Sequence, residues 1–167
     1  MNSEGFQAHE IRDKIIINYK YTLGGHSKFF IELMNNKKIL GSKCKKCGKI
    51  WVPPRVGCSN CYKDTDWVEL PHTGTIKVST IVWYTTSAFI QSIPYGVAFI
   101  QLDKASTAIL QGVFSENLVP SKLKKGRRVR AVFKRKEDRE GKMTDFFFVP
   151  EDEYERWIAR PEYEGGA

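Results

Sequence analysis

The chain has 167 residues, 41 % of them hydrophobic and 13 % aromatic, and carries 27 Lys and Arg against 19 Asp and Glu, a formal charge of +8. That is one ordinary domain, or a small metal module joined to a compact one, with enough apolar residues for a packed core. No apolar run approaches the ~20 residues needed to cross a bilayer. Met1-Asn-Ser-Glu-Gly-Phe-Gln carries neither a charged n-region nor an apolar h-region, so a cytoplasmic protein without membrane attachment is expected. The cationic excess suits a polyanionic or phosphate-bearing partner, or a plainly solvated surface.

Residues 1–23 hold few signals. Ile15, Ile17, Tyr19 and Tyr21 alternate with Ile16, Asn18 and Lys20, the period of an extended segment with one apolar face. Such a segment packs on its own domain or lies across another subunit. Gly24-Gly25 breaks the chain, and Ser27 is placed to cap a helix running to Asn35. Phe30, Leu33 and Met34 fall at i, i+3 and i+4, with Phe29 flanking, so one stripe of that helix is apolar. His26 reads as a surface or capping residue.

All four cysteines follow in two pairs, Cys44-Lys-Lys-Cys47-Gly48 and Cys58-Ser-Asn-Cys61. A Cys-x-x-Cys turn aims two thiolates at one ion, and its tight loop turns backbone N–H groups toward the sulfurs. Two such knuckles complete the tetrahedral ligand set of a closed, structural zinc site. A redox dithiol needs one pair at a helix start, which neither resembles, and two disulfides would need an oxidising compartment. Rubredoxin-type iron uses the same ligands, so the spacing favours zinc and leaves iron open. Ile39 to Lys43 and Lys49 to Val52 read as a ribbon hairpin around the first knuckle, ended by Pro53-Pro54, which cannot donate to a ladder. Asp66 to Leu70 reads as a strand returning from the metal.

From Thr73 onward the pattern is all-β. Gly74 to Tyr84 is rich in β-branched residues and alternates Ile76, Val78, Thr80 and Val82 against Lys77, Ser79 and Ile81. Tyr95 to Leu102 and Thr107 to Phe114 are further strands, and Asn117 to Lys125 is a connector with little room for a helix. Arg127 to Lys134 is a fourth strand. Met143 to Val149 is a fifth, entered by a turn over residues 137–142 and closed by Pro150. Five strands with a connector between the third and fourth match the small Greek-key barrel called the OB-fold. Asp152 to Ala159 is expected to form a short acidic helix anchored by Tyr154 and Trp157. The expected architecture is mainly β: an N-terminal extension and helix over residues 1–40, a rubredoxin-like zinc ribbon over 41–70, a C-terminal OB-fold barrel over 71–150 and an acidic C-terminal tail over 151–167.

No catalytic constellation assembles. The three histidines, His9, His26 and His72, sit near Gly, Pro or terminal stretches, and the chain contains no Gly-x-Ser-x-Gly elbow, no phosphate loop and no Gly-x-Gly-x-x-Gly. Two surfaces remain. In the basic stripe from Lys122 to Lys136, Val129, Ala131 and Phe133 face one way, while Arg128, Arg130 and Lys134 face the other, with Val132 as the one apolar interruption. It is a solvated face, a seat for nucleic-acid phosphates, or a seat for the phosphates of a nucleotide-bearing cofactor. The loop from Trp83 to Tyr95 holds Phe89, Ile90 and Ile93, which fill a core or form a partner- or acyl-chain-binding lip.

The succession Ser27-Lys-Phe-Phe-Ile-Glu-Leu33, Lys38-Ile-Leu-Gly-Ser-Lys-Cys44-Lys-Lys-Cys47-Gly48, Val52-Pro-Pro-Arg55, Cys58-x-x-Cys61, Trp67-Val-Glu-Leu70, Gly74-Thr-Ile76, Pro94-Tyr95 and Gly126-x-x-Val129 resembles the zinc-ribbon/OB-fold accessory proteins. That family was long catalogued as a domain of unknown function, and the resemblance runs from about Gly24 to Pro150. It implies a non-catalytic, zinc-binding accessory subunit of a thiolase-type acyl-CoA complex, of the kind that includes benzoylsuccinyl-CoA thiolase in aromatic catabolism. The implied assembly is a hetero-oligomer in which the ribbon and residues 1–40 dock a thiolase-like catalytic subunit and the barrel helps enclose CoA or acyl-CoA. Catalytic cysteines and histidines would belong to that partner, so none is assigned here. The expected metal ligands are Cys44, Cys47, Cys58 and Cys61; the expected CoA or partner contacts are Arg55, Phe89, Ile90, Ile93, Arg128 and Arg130. The unusually basic fourth strand departs from the family pattern. It carries the alternative, a single-strand nucleic-acid-binding zinc-ribbon OB protein. Nucleic acid ranks below the CoA enzyme because the second and third strands lack the closely spaced aromatics on which bases stack.

Overall fold

The structure is a computed structural model that describes residues 10, 11, 13, 16–18, 20–84 and 94–166. Helix α1 (Ser27–Asn36) buries Phe29 and Leu33, four apart on one stripe. His26, not Ser27, stands at the N-cap and makes no side-chain cap. The Ser27 hydroxyl donates instead to the Gly24 carbonyl at 2.8 Å, tightening the turn before the helix. Strand β1 (Ile39–Cys44) then pairs antiparallel with β2 (Ile50–Trp51) on one side and β3 (Thr65–Leu70) on the other, so the ribbon hairpin gains β3 as its third strand.

Five strands close the barrel: β4 (Thr73–Val82), β5 (Tyr95–Leu102), β6 (Ile109–Val113), β7 (Arg128–Lys134) and β8 (Phe146–Pro150). The first three form an antiparallel meander, β6 runs parallel to β8 at Val113 and Phe148, and β8 pairs antiparallel with β7. Strand β7 returns to β4 over Thr73–Thr75, which closes the order 4-5-6-8-7-4 of the expected OB-fold barrel. A last strand, β9 (Tyr163–Gly165), continues along the same edge of β7 beyond β4, pairing with Val132–Lys134.

The alternation in β4 breaks at Lys77, where the register with β5 slips between Ile76 and Val78. Ile76 is fully buried, whereas Val78 is 57 % exposed. Beyond the slip Ser79 and Ile81 take the inward positions, and the Ser79 hydroxyl donates to the Leu123 carbonyl at 2.5 Å. The sequence pattern put Ile76 with Val78, Thr80 and Val82; one extra residue in the strand turns the later three outward. Strand β8 also starts later than its pattern, because Met143–Asp145 forms a 3₁₀ turn. The buried Asp145 carboxylate holds that loop by accepting from the backbone N–H groups of Glu140, Gly141 and Lys142.

One core runs from α1 and the base of the ribbon into the barrel, with Phe29, Leu33, Ile39 and Leu70 continuous with Ile76, Ile100, Val129 and Phe133. A second lies outside the barrel. Residues 151–166, read from the sequence as a tail with a short helix, fold as α2 (Tyr154–Ile158) and β9 onto the outer face of β7 and β8. There Tyr154 and Trp157 bury against Val132, Phe147 and Val149. Among the described residues, no helix is long and apolar enough to cross a membrane.

Candidate functional site

The two knuckles are built alike. Cys44 N–H donates to the Lys49 carbonyl and Cys58 N–H to the Lys63 carbonyl, both at 2.9 Å; Gly48 and Tyr62 donate back to the Cys44 and Cys58 carbonyls at 3.1 and 2.8 Å. Gly48 and Tyr62 occupy the same left-handed position, with φ of 70° and 53°, which glycine adopts freely and tyrosine at some cost. The turn brings the N–H groups of Lys46 and Cys47 to 3.4 Å from Cys44 Sγ. Together the knuckles place the four sulfurs within 4.8 Å of one another, with Cys47 Sγ 3.7 Å from Cys58 Sγ.

These distances test the metal. A tetrahedron with 2.3 Å metal–sulfur arms has sulfur–sulfur edges of about 3.8 Å, whereas a disulfide would need ~2.05 Å. The residues fit a four-thiolate ion. Without an ion the sulfurs differ in how readily they give up a proton. Burial works against the Cys58 thiolate, but the backbone N–H groups of Asn60 and Cys61 and the thiols of Cys44 and Cys47 outweigh it and bring Cys58 down to about 6. The hydrogen bond to Cys47, then burial, then Cys58 and Cys44 push the Cys61 thiol up to about 12. Four thiolates so close repel one another, and only a cation at their centre stabilises them together. With all four positions taken by protein sulfur, such an ion has no open site for substrate, so its contribution is structural. Trp51 packs on Cys44 and Cys58, the two buried cysteines, while Cys47 and Cys61 lie toward solvent.

The other predicted residues have other surroundings. Arg55 lies with its guanidinium 4.9 Å from the Trp51 ring centroid. Arg128 forks onto Asp103, with two N–H···O bonds of 2.7 Å. Arg130 lies 4.1 Å from the centre of the Tyr154 ring. Neighbouring cations of the stripe are paired too, Arg127 with Asp152 at 2.5 Å and Lys122 with Glu153 at 2.9 Å. Burial disfavours the Glu153 charge, yet the Glu116 N–H, Lys122 and the Ser115 hydroxyl hold its carboxyl below the usual range. Lys124 and Lys125 make no ion pair among the described residues and, with Arg127, Arg128, Glu151 and Asp152, line a shallow open groove. Phe89, Ile90 and Ile93 lie outside the described residues.

With the fold and the cluster defined, the chain can be placed among known proteins. The family profile described as "ChsH2, rubredoxin-like zinc ribbon domain" matches residues 37–68. A DUF35 domain-containing scaffold protein of Methanocaldococcus jannaschii is 33 % identical over 103 residues, which is 60 % of this chain and 71 % of that one. The chain belongs to the DUF35 family. A second DUF35 domain-containing scaffold protein, from Methanothermobacter thermautotrophicus, is 28 % identical over 117 residues, 67 % of this chain and 86 % of the relative. A crystal structure of a DUF35 family protein of unknown function from Sulfolobus solfataricus superposes with a TM-score of 0.52 at 27 % identity, covering 68 % of this chain and 81 % of that chain. A chain of the Ltp2-ChsH2(DUF35) aldolase gives 0.57 at 20 % identity, covering 78 % and 98 %, a likeness of fold.

One surface of this DUF35 chain escaped the sequence reading. On the outer face of β4, β5 and β6, Val78 pairs with Phe99 and Phe99 with Leu110, and in the next row Thr80 pairs with Val97. Phe99 is 45 % and Leu110 51 % exposed. The signal was available in Val97-Ala98-Phe99-Ile100, apolar at four consecutive positions, where a strand with one solvated face alternates. The bulge at Lys77 hid its β4 part.

Proposed function

We propose that this chain is a non-catalytic accessory subunit that docks the catalytic subunit of a thiolase-type acyl-CoA enzyme in the cytoplasm and helps enclose its CoA thioester. The observation that carries this reading is the outer face of β4–β6. It is a row of large apolar side chains left open in a chain with no catalytic constellation among its described residues and with a closed metal site. In OB-folds the face of the second and third strands is the usual ligand surface. Here those strands are β5 and β6, and their face offers Val97, Phe99 and Leu110, chemistry suited to an apolar protein surface.

The scaffold role of the Methanocaldococcus relative and the pairing of ChsH2 with Ltp2 in the aldolase favour a catalytic partner. In this reading the ribbon, α1 and the open barrel face meet the partner, and zinc holds the ribbon in shape. For CoA phosphates the open cations are Lys124 and Lys125, whereas a phosphate at Arg128 would have to share that guanidinium with Asp103. Nucleic acid would need cations and stacking rings on one face. The cations lie on β7 and its lead-in, where Lys122, Arg127 and Arg128 are held by carboxylates, while the strands of the open face present one well-exposed aromatic among the described residues, Phe99.

The test is co-purification with the tagged chain from its native lysate, followed by mass identification and assay of acyl-CoA thiolysis. A condensing enzyme whose thiolytic activity depends on both proteins supports the proposal. Recovery of single-stranded nucleic acid, bound with a steep salt dependence and without a protein partner, overturns it.

A further inference from the structure

A small cleft lies where the start of α1 meets the ribbon. One wall is the turn at Gly25 and His26, another is the Pro54–Val56 segment between the knuckles, and Trp67 of β3 closes the side. Its volume is about 170 Å³, enough for one side chain and not for a cofactor. The walls approach closely: a Cβ on Gly25 would sit 2.9 Å from Val56 Cγ2, so a larger residue there would push the Val56 side chain away.

The backbone that presents Arg55 is fixed at both ends. Its N–H donates at 2.8 Å to Ser42 Oγ, which is buried, and its carbonyl accepts at 2.5 Å from the Thr65 hydroxyl, which also bonds the Val56 carbonyl. Anchoring of this kind spends hydrogen bonds on holding one surface arginine in place. Arg55 makes no ion pair among the described residues, and neither does Lys28, whose Nζ lies 5.6 Å from the Trp67 ring centroid. Among the described residues no carboxylate lines the cleft, and a partly exposed indole forms its side. A guanidinium that rests on Trp51, makes no ion pair among the described residues and shares its cleft with the exposed Trp67 has the composition of an interface hot spot.

We infer that this cleft receives an acidic side chain of the docking partner, its carboxylate bridged by Arg55 and its stem lying on Trp67. The inference rests on the accessory-subunit reading and adds to it the chemistry of one contact. Guanidinium and carboxylate match as a fork, and the positive surroundings steer an acidic patch toward the ribbon.

The experiment uses the full-length, zinc-loaded chain and the catalytic subunit found by co-purification, titrated by calorimetry over a range of salt. Arg55→Glu is expected to weaken binding at least about tenfold and Trp67→Ala by about tenfold, with Arg55→Lys between the parent and Arg55→Glu because it keeps the charge and loses the fork. The Arg55→Glu variant should also lose part of the salt dependence. Zinc content and melting temperature, unchanged, show that the variants fold. Binding by Arg55→Glu and Trp67→Ala within twofold of the parent overturns the cleft as a contact and leaves the accessory reading standing. Loss on Trp67→Ala alone overturns the carboxylate. A parent chain that binds no catalytic subunit removes both.

Discussion

The barrel has two apolar outer faces, and the chain treats them differently. On β7 and β8, Val132, Phe147 and Val149 point outward and are buried, because residues after Pro150 turn back over them. Phe147 meets Trp157 and Tyr163 edge to face, with ring centroids 5.4 and 4.9 Å apart, the geometry aromatic pairs prefer. On β4, β5 and β6, Val78, Phe99 and Leu110 point outward in the same way and are about half exposed. A sheet with apolar residues on both faces needs a layer on each. This chain supplies one from its own C-terminal segment. The other it leaves open, and under the accessory-subunit proposal a second polypeptide covers it.

The largest perturbation tests whether that contrast belongs to the barrel or is imposed by the ribbon. Cys58→Ser removes one of four thiolates, and structural zinc in small peptides is worth roughly 10–16 kcal/mol of apparent binding. Metal content should fall from one ion per chain to none, the amides of β1–β3 should lose hydrogen-exchange protection, and the partner should be released. Amides of β7 and β8 should stay protected. Equal loss in both regions would mean that the covered face depends on the metal, and assembly retained without metal would exclude the ribbon from docking.

Next in size is the covered face itself. Trp157→Ala truncates a buried ring and should cost about 3–5 kcal/mol in chemical denaturation, with bound zinc unchanged. Its counterpart on the open face is Phe99→Thr, which keeps a β-branched residue in the strand. It should change unfolding free energy by no more than about 0.5 kcal/mol yet weaken partner binding at least about tenfold. If Phe99→Thr were as destabilising as Trp157→Ala, the open face would be covered from within the chain and the contrast would vanish.

How much of this was legible beforehand depends on the range of the interactions. The knuckles are local: spacing alone places four ligands, and the structure brings those four together. The five barrel strands are also local patterns. What the sequence hid are the pairings across it. Arg128, Arg130 and Val132 read as an exposed stripe with an interruption. Val132 is instead the centre of the second core, Arg130 stacks on Tyr154 and Arg128 grips Asp103. Each partner is at least 15 residues away, and nothing in strand periodicity points to it. The bulge at Lys77 was hidden for another reason, since an inserted residue leaves composition unchanged and only reverses which side chains face inward.

The smallest effect concerns the seam between the two faces. Strand β4, from the open side, pairs with β7, from the covered side, at Thr75–Arg128 and Thr73–Arg130. Asp103 ties this seam, accepting from the Thr73 hydroxyl and from the Arg128 fork. The Arg128 hydrogen bonds, helped by Thr73 and opposed by burial, hold its carboxyl at about 2 against an ordinary 3.8. A carboxyl depressed in the folded state binds its proton more readily when unfolded. Its stabilisation is therefore fully present above pH 3.8 and lost as pH falls toward about 2. Both partners are about 40 % exposed (39 % for Asp103, 42 % for Arg128), so solvent screening limits the effect to about 1 kcal/mol or less. Asp152 and Glu153 are also held low and titrate in acid in any variant, so the difference between parent and Asp103→Asn carries the information. Subtracting the two stability profiles should leave a slope confined to that window and reduced by added salt. A flat difference would show that backbone pairing alone closes the seam, leaving the open face joined to the covered one without help from charge.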